Sequence, residues 1–150
     1  MTMRIDSELG FSAEFPDWTI VLDESTAGPG TEQYGLPGNI LVTVIKDEQA
    51  VQSAPQLSGW AHLMAEFYLQ KNGRVLAEGD LQLEGRQSYA VMVAFESEDG
   101  EAKSATSVAV LQNGRFLGFL VVRPETDPEA EPRTEDVREI VGAVTVNAAA

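Results

Sequence analysis

The stretch Ser88–Glu96, "SYAVMVAFE", is apolar on both of the faces that the two-residue period of a strand creates. One face carries Tyr89, Val91, Val93 and Phe95, and the other carries Ala90, Met92 and Ala94. A strand with one face in water alternates apolar with polar residues. This strand does not, so both sides of its sheet need a cover. That requirement decides the fold class and points to where function should be sought.

The flanking segments extend the strand into a meander. Asp99-Gly100 and Asn113-Gly114 are dipeptides of the two-residue hairpin turn. With such a turn at both places, Val93 falls opposite Thr106 and Val108 opposite Phe119. One face then collects Tyr89, Val91, Val93, Val108, Val110, Leu117, Phe119 and Val121. The other collects Ala90, Met92, Ala94, Ser107, Ala109, Gly118 and Leu120, mostly small side chains that let a helix come close. "RVLAEGDLQLEG" (Arg74–Gly85), alternating through Leu81 and Leu83, reads as an edge strand.

Two helices are expected. Between Ala54 and Asn72, the residues Leu57, Trp60, Ala61, Met64, Phe67 and Tyr68 recur on one face, with His62, Glu66 and Gln70 opposite. Ser53 is the expected N-cap, Pro55 suits the first turn, and Asn72-Gly73 ends the helix. A shorter helix begins at Thr134, with Glu135 and Asp136 in its first turn and a stripe of Val137, Ile140, Val141 and Val144. "TVNAAA" adds a last strand residue or two.

Upstream, "FSAEF" (Phe11–Phe15) is a half-buried strand, Pro16-Asp17 a turn, and "WTIVLD" (Trp18–Asp23) a second strand. Glu24–Asn39, with four glycines and two prolines, reads as a long loop. Ile40–Asp47 is a strand with two apolar faces. Arg123–Arg133, rich in proline and glutamate, reads as another loop.

Composition narrows the function classes. A chain of 150 residues with 43% hydrophobic content fits a single domain. The net charge is −14, from 24 acids against 10 bases, and repels the phosphate backbone of nucleic acids. The same field attracts basic partners over about 8 Å in physiological salt. The absence of cysteine excludes disulfides and thiolate chemistry. No run approaches the ~18 apolar residues of a membrane span, and the first residues do not read as a signal peptide, so the cytoplasm is the expected location.

No catalytic constellation emerges. His62 is the one histidine, and Ser58 lies four residues before it, but no orienting carboxylate is visible. The acidic runs Glu96–Glu101 and Glu125–Glu131 lack the spacing of a calcium loop. The glycines of 28–38 form no phosphate fingerprint. Catalytic, metal and cofactor residues are therefore expected to be none.

Three segments carry a family resemblance. "GFSAEFPDWTI" resembles the opening of PsbP-like domains, "NILVTV" the strand before the main helix in their bacterial DcrB-type branch, and "GRQSYAVMVAF" their meander. The likeness runs from about residue 9 to 146. It implies an α+β, single-domain α/β/α sandwich: a central, mostly antiparallel six- to seven-stranded sheet with one long and one short helix. Relatives are mostly non-enzymatic, among them an extrinsic photosystem subunit, a Ran-binding import factor and chaperones that shield hydrophobic segments of type VI effectors. No family binding residues can be placed by motif.

Six strands at ~4.8 Å span about 29 Å, whereas one helix covers about 10 Å. Two helices cannot roof such a sheet. Loop 24–39, through Tyr34 and Leu36, is one further cover; a second copy of the chain and a basic or hydrophobic protein client are the others. The expected partner-binding residues are Tyr34, Leu36, Met92, Ala109 and Leu120. The function this supports is a protein-binding module, chaperone or adaptor. The alternative is a small-molecule binder or hydrolase with a pocket between loop 24–39 and the helix start.

Overall fold

The hairpin at Ser97–Glu101 sets the faces of the whole sheet. The computed structural model describes residues 2–7, 9–22, 30–46, 51–112, 114–124 and 134–146. Within them run β1 (Thr2–Asp6), β2 (Phe11–Pro16), β3 (Ile20–Val21), β4 (Thr31–Leu36) and β5 (Ile40–Ile45). Then come α1 (Leu57–Leu69), β6 (Arg74–Gly79), β7 (Gln87–Glu96), β8 (Ala102–Gln112), β9 (Arg115–Pro124), α2 (Thr134–Gly142) and β10 (Val144–Val146). A seven-stranded antiparallel sheet has the order β3-β4-β5-β9-β8-β7-β6, and a three-stranded one the order β1-β2-β10. The fold is α+β, with two helices and a large antiparallel sheet, as the sequence leads one to expect.

Register bears out one expectation and corrects another. Val108 pairs with Phe119, as expected, although Asn113 of that turn lies outside the described residues. Val93, however, pairs with Ala105, and Thr106 with Met92. The loop has three residues, Glu98-Asp99-Gly100, closed by the Ser97 N–H on the Glu101 carbonyl at 2.9 Å. Gly100 at φ +82 takes the left-handed position such loops require. The added residue slips the register by one and turns β7 over relative to β8 and β9.

That slip mixes large and small residues on each face. Under α1, the bulky Val91 and Val93 of β7 lie beside Ala105, Ser107, Ala109 and Gly118. Ala61 and Ala65 pack on the valines, while Trp60 and Leu57 pack near Ala109 and Phe116. The Ser107 hydroxyl donates to the Ala61 carbonyl at 2.6 Å, a measure of how close helix and sheet come. Phe67 departs from its expected place: it is 60% exposed, with the Lys71 ammonium 5.0 Å from its ring centroid.

The opposite face answers the roofing problem in a way the pattern did not disclose. The small sheet and α2 together cover it, with Phe11, Ala13 and Phe15 of β2 and Val137 and Val141 of α2 in one core with Tyr34, Val42, Val108 and Phe119. β1 has no counterpart in the sequence reading, and Val144 belongs to β10 and not to the helix stripe.

Three boundaries also move. Thr31–Leu36 is a strand, β4, although it was expected within a loop; its partner β5 presents Val42 to Tyr34 and Ile40 to Leu36. The edge strand ends at Gly79, and Leu81–Glu84 is irregular, with Leu83 packed into the core. Ala54–Gln56 is a short 3-10 turn ahead of α1, and Ser53 makes no side-chain cap bond to it. The segments 125–133 and 23–29 lie outside the described residues.

Candidate functional site

The five residues expected to form a partner surface do not share one. Tyr34, Leu36 and Met92 lie on the sheet face beneath the small sheet and α2; Ala109 and Leu120 lie on the α1 face. Tyr34 and Ala109 are fully buried, Leu36 and Met92 nearly so, and only Leu120 is half-buried. The Tyr34 ring sits 5.3 Å from that of Phe15 and 6.4 Å from Phe11. Its hydroxyl donates to the Glu32 carboxylate, which also accepts from the Ser7 hydroxyl at 2.5 Å. Tyr34 and Leu36 are interior because the chain's own small sheet packs over them, and Ala109 because α1 does.

His62 lies on the outer face of α1 and is about half-exposed, as the helical pattern leads one to expect. The partner of His62 is Glu78, Nε2 to Oε2 at 3.3 Å, and the Tyr89 hydroxyl donates to the other Glu78 oxygen at 3.3 Å. Burial first, and then the Glu78 charge, raises the pKa of the Tyr89 phenol, so it stays protonated. This surface group has no nucleophile poised on the imidazole. Among the described residues there is also no cluster of three or more side chains able to hold a metal ion.

Exposed apolar side chains stand in two places: Leu63, Phe67 and Val75 on α1 and β6, and a tighter group at the β3 end of the seven-stranded sheet. Trp18 is 89% exposed, Ile20 63% and Val21 56%. "WTIVLD" was expected to be a longer strand; Asp23 lies outside the described residues, and in the rest β3 is Ile20–Val21, paired with Gly35 and Tyr34, with the Leu22 N–H donating to the Gln33 carbonyl at 2.9 Å. Thr19 turns inward instead of Trp18, because its hydroxyl is satisfied by the Pro16 carbonyl at 2.6 Å. The turn Pro16–Thr19 closes with a backbone bond of 3.3 Å and holds Trp18 at φ +75. Glycine or asparagine normally fills such a position, and a bulky residue there costs on the order of 1–3 kcal/mol.

Beside the indole lies an open groove formed by Trp18, Ile20 and the segment Gly35–Leu41. A Cβ on Gly35 would meet nothing within 4 Å, so the groove floor there is bare backbone. The arrangement offers an aromatic anchor, aliphatic walls and a short terminal strand. The sequence signal for it was the "PDWT" turn, in which a threonine able to satisfy itself locally competes with tryptophan for the inward position.

No family model matches the chain, and no curated protein does. Solved structures do. The solution structure of cyanobacterial PsbP (CyanoP) from Synechocystis superposes with a TM-score of 0.65 at 11% identity, covering 97% of this chain and 92% of that one. A Mog1 E65A mutant gives 0.62 at 13% identity, covering 99% and 97%. A Pseudomonas aeruginosa protein of unknown function, PA94, described as a putative regulator, gives 0.51 at 13% identity and 99% coverage of both chains. At such identities the likeness establishes the fold, which is that of PsbP and Mog1.

Proposed function

We propose that the chain is a non-enzymatic, cytoplasmic protein-binding module of adaptor or chaperone type, and that it captures an extended segment rich in basic and apolar residues along β3. The observation that carries this reading is Trp18, 89% exposed on a backbone conformation unfavourable to it. Strain retained at a surface tryptophan supports a role for that side chain outside the fold. Tryptophan is also the residue type most enriched among the anchors of protein interfaces.

In this reading the partner strand pairs with β3, and its apolar side chains enter the groove over Gly35. Its lysines and arginines respond to the net charge of −14. Shielding of hydrophobic segments is the action ascribed to the DcrB-type effector chaperones, and this chain is proposed to act in the same manner.

The test uses Trp18 as its own reporter, since Trp60 is only 7% exposed. Titration with an alternating Leu/Lys octapeptide should shift the exposed-indole emission to the blue. The Ile20→Glu variant should lose at least about tenfold in affinity, and a Leu/Glu octapeptide should not bind. Equal binding of both peptides, or emission that stays unchanged, would refute the reading. A dimer in sedimentation that Ile20→Glu dissociates would replace the client with a second copy of the chain.

A further inference from the structure

A second concavity lies on the other side of the molecule, and it is built differently. The floor is the sheet face at Ala90, Met92 and Thr106, one wall is the β6–β7 segment from Ala77, and the other is α2 at Val137. The volume is about 290 Å³. Ala77, Gly79 and Ala90 are too small to fill the space beside α2, whose Val137 and Val141 are fully buried.

Both walls are fixed. Arg123, itself 6% exposed, donates to Asp136 in the first turn of α2 at 2.8 Å. At the other end of the helix, the Arg86 guanidinium donates to the carbonyls of Val144 at 2.7 Å, Gly142 at 3.2 Å and Val141 at 3.4 Å. The facing segment is tied by Asp80, which accepts from the Ser88 hydroxyl at 2.9 Å and from the Gln82 N–H at 2.7 Å. The cleft is therefore preformed, which removes an ordering cost from binding.

The floor carries one polar group without a partner. Thr106 is 2% exposed, and its hydroxyl makes no hydrogen bond among the described residues. A buried hydroxyl in that condition is destabilising until something supplies the bond. Among the described lining residues each charge has a partner on the chain: Glu135 pairs with Arg138 at 3.5 Å, Glu78 with His62 at 3.3 Å, and Asp80 is held as above. An ion entering the cleft would have to compete with these partners. A dry cavity of 150 Å³ takes up benzene, so about twice that volume admits roughly a dozen non-hydrogen atoms.

We propose that this cleft binds a small uncharged amphiphile, with its apolar body on Ala90 and Met92 and its hydrogen-bonding group on the Thr106 hydroxyl. The site is independent of the β3 groove, and either can fail without the other.

The experiment is an amide-detected NMR titration of the full chain with 4-butylphenol, 4-butylbenzoate and 4-butylbenzylammonium. The phenol should shift the amides of Ala90, Met92, Thr106 and Val137 and bind at least about tenfold more tightly than either ion. Thr106→Val, nearly isosteric, should weaken the phenol about three- to tenfold, and Ala90→Leu should abolish binding while the fold persists. If Ala90→Leu fails to fold, Thr106→Val alone decides. Equal affinity for the three probes, unchanged affinity in Thr106→Val, or shifts confined to Gly35 and Leu41 would overturn the proposal. So would protection of the cleft amides by the Leu/Lys octapeptide with none by the phenol, which would assign the cleft to a partner's side chain.

Discussion

The Trp60 indole occupies the space in which a side chain on Gly118 would begin, so helix α1 rests on the bare backbone of β9. The ring cannot readily retreat: it is 7% exposed and lies edge-on to Phe116, with centroids 5.0 Å apart. Gly118→Ala should therefore cost about 1–3 kcal/mol by overpacking. For a chain of this length that lowers Tm by roughly 2–12 °C. Trp60→Leu should recover part of the loss in the double variant. Additive effects of the two changes would show that the contact is not made.

Arg86 caps α2 from outside the helix, whose own last turn contains no basic residue. Arg86→Ala should accelerate amide exchange in α2 and β10 well before global unfolding. Arg86→Lys should restore little, since one ammonium cannot fork across three carbonyls. Uniform exchange rates along the chain in Arg86→Ala would contradict this role.

Removing Asp136 takes from the nearly buried Arg123 the carboxylate to which it donates at 2.8 Å. Because Asp136 is itself about half-exposed, the expected loss for Asp136→Ala is moderate, about 1–3 kcal/mol in chemical denaturation. Adding Arg123→Met should return part of it. A change within ~0.5 kcal/mol, as ordinary surface substitutions give, would mean that solvent already screens the pair.

The hairpin tip makes a pH prediction. Asp99 is held below the usual aspartate value of about 3.8, chiefly by the Ser97 hydroxyl and then by the Glu101 N–H. A depressed folded value means that the contribution of the carboxylate is present above the unfolded value and is lost as pH falls through the folded one. Carboxyl NMR titration should give a midpoint below 3.8, and Ser97→Ala should raise it. An unmoved midpoint would remove Ser97 as the cause.

Much of the architecture was legible from local pattern, and the errors cluster where one residue or one competing contact decides. The β8–β9 register, α1 with Trp60 inward, and the two-sided apolar strand β7 all follow from periodicity and turn chemistry. Asp99-Gly100 suits both a two-residue loop and the last two places of a three-residue one, so the β7–β8 register was open. The burial of Tyr34, Leu36 and Met92 was not legible for a related reason. They sit in strands apolar in pattern, but nothing local tells whether distant β2, β10 and α2 will pack over that face.

The amino-acid sequence by itself determined that a meander greasy on both sides would need covering, because strand alternation is a property of consecutive residues. Only the tertiary structure decided what covers it and what stays open. β10 joins β2 across most of the chain, α2 is propped on two valines, and Thr19 displaces Trp18 from the interior. Each outcome depends on contacts between distant segments, and the groove at Trp18 and the cleft over Thr106 exist only where those contacts fall short of closing the surface.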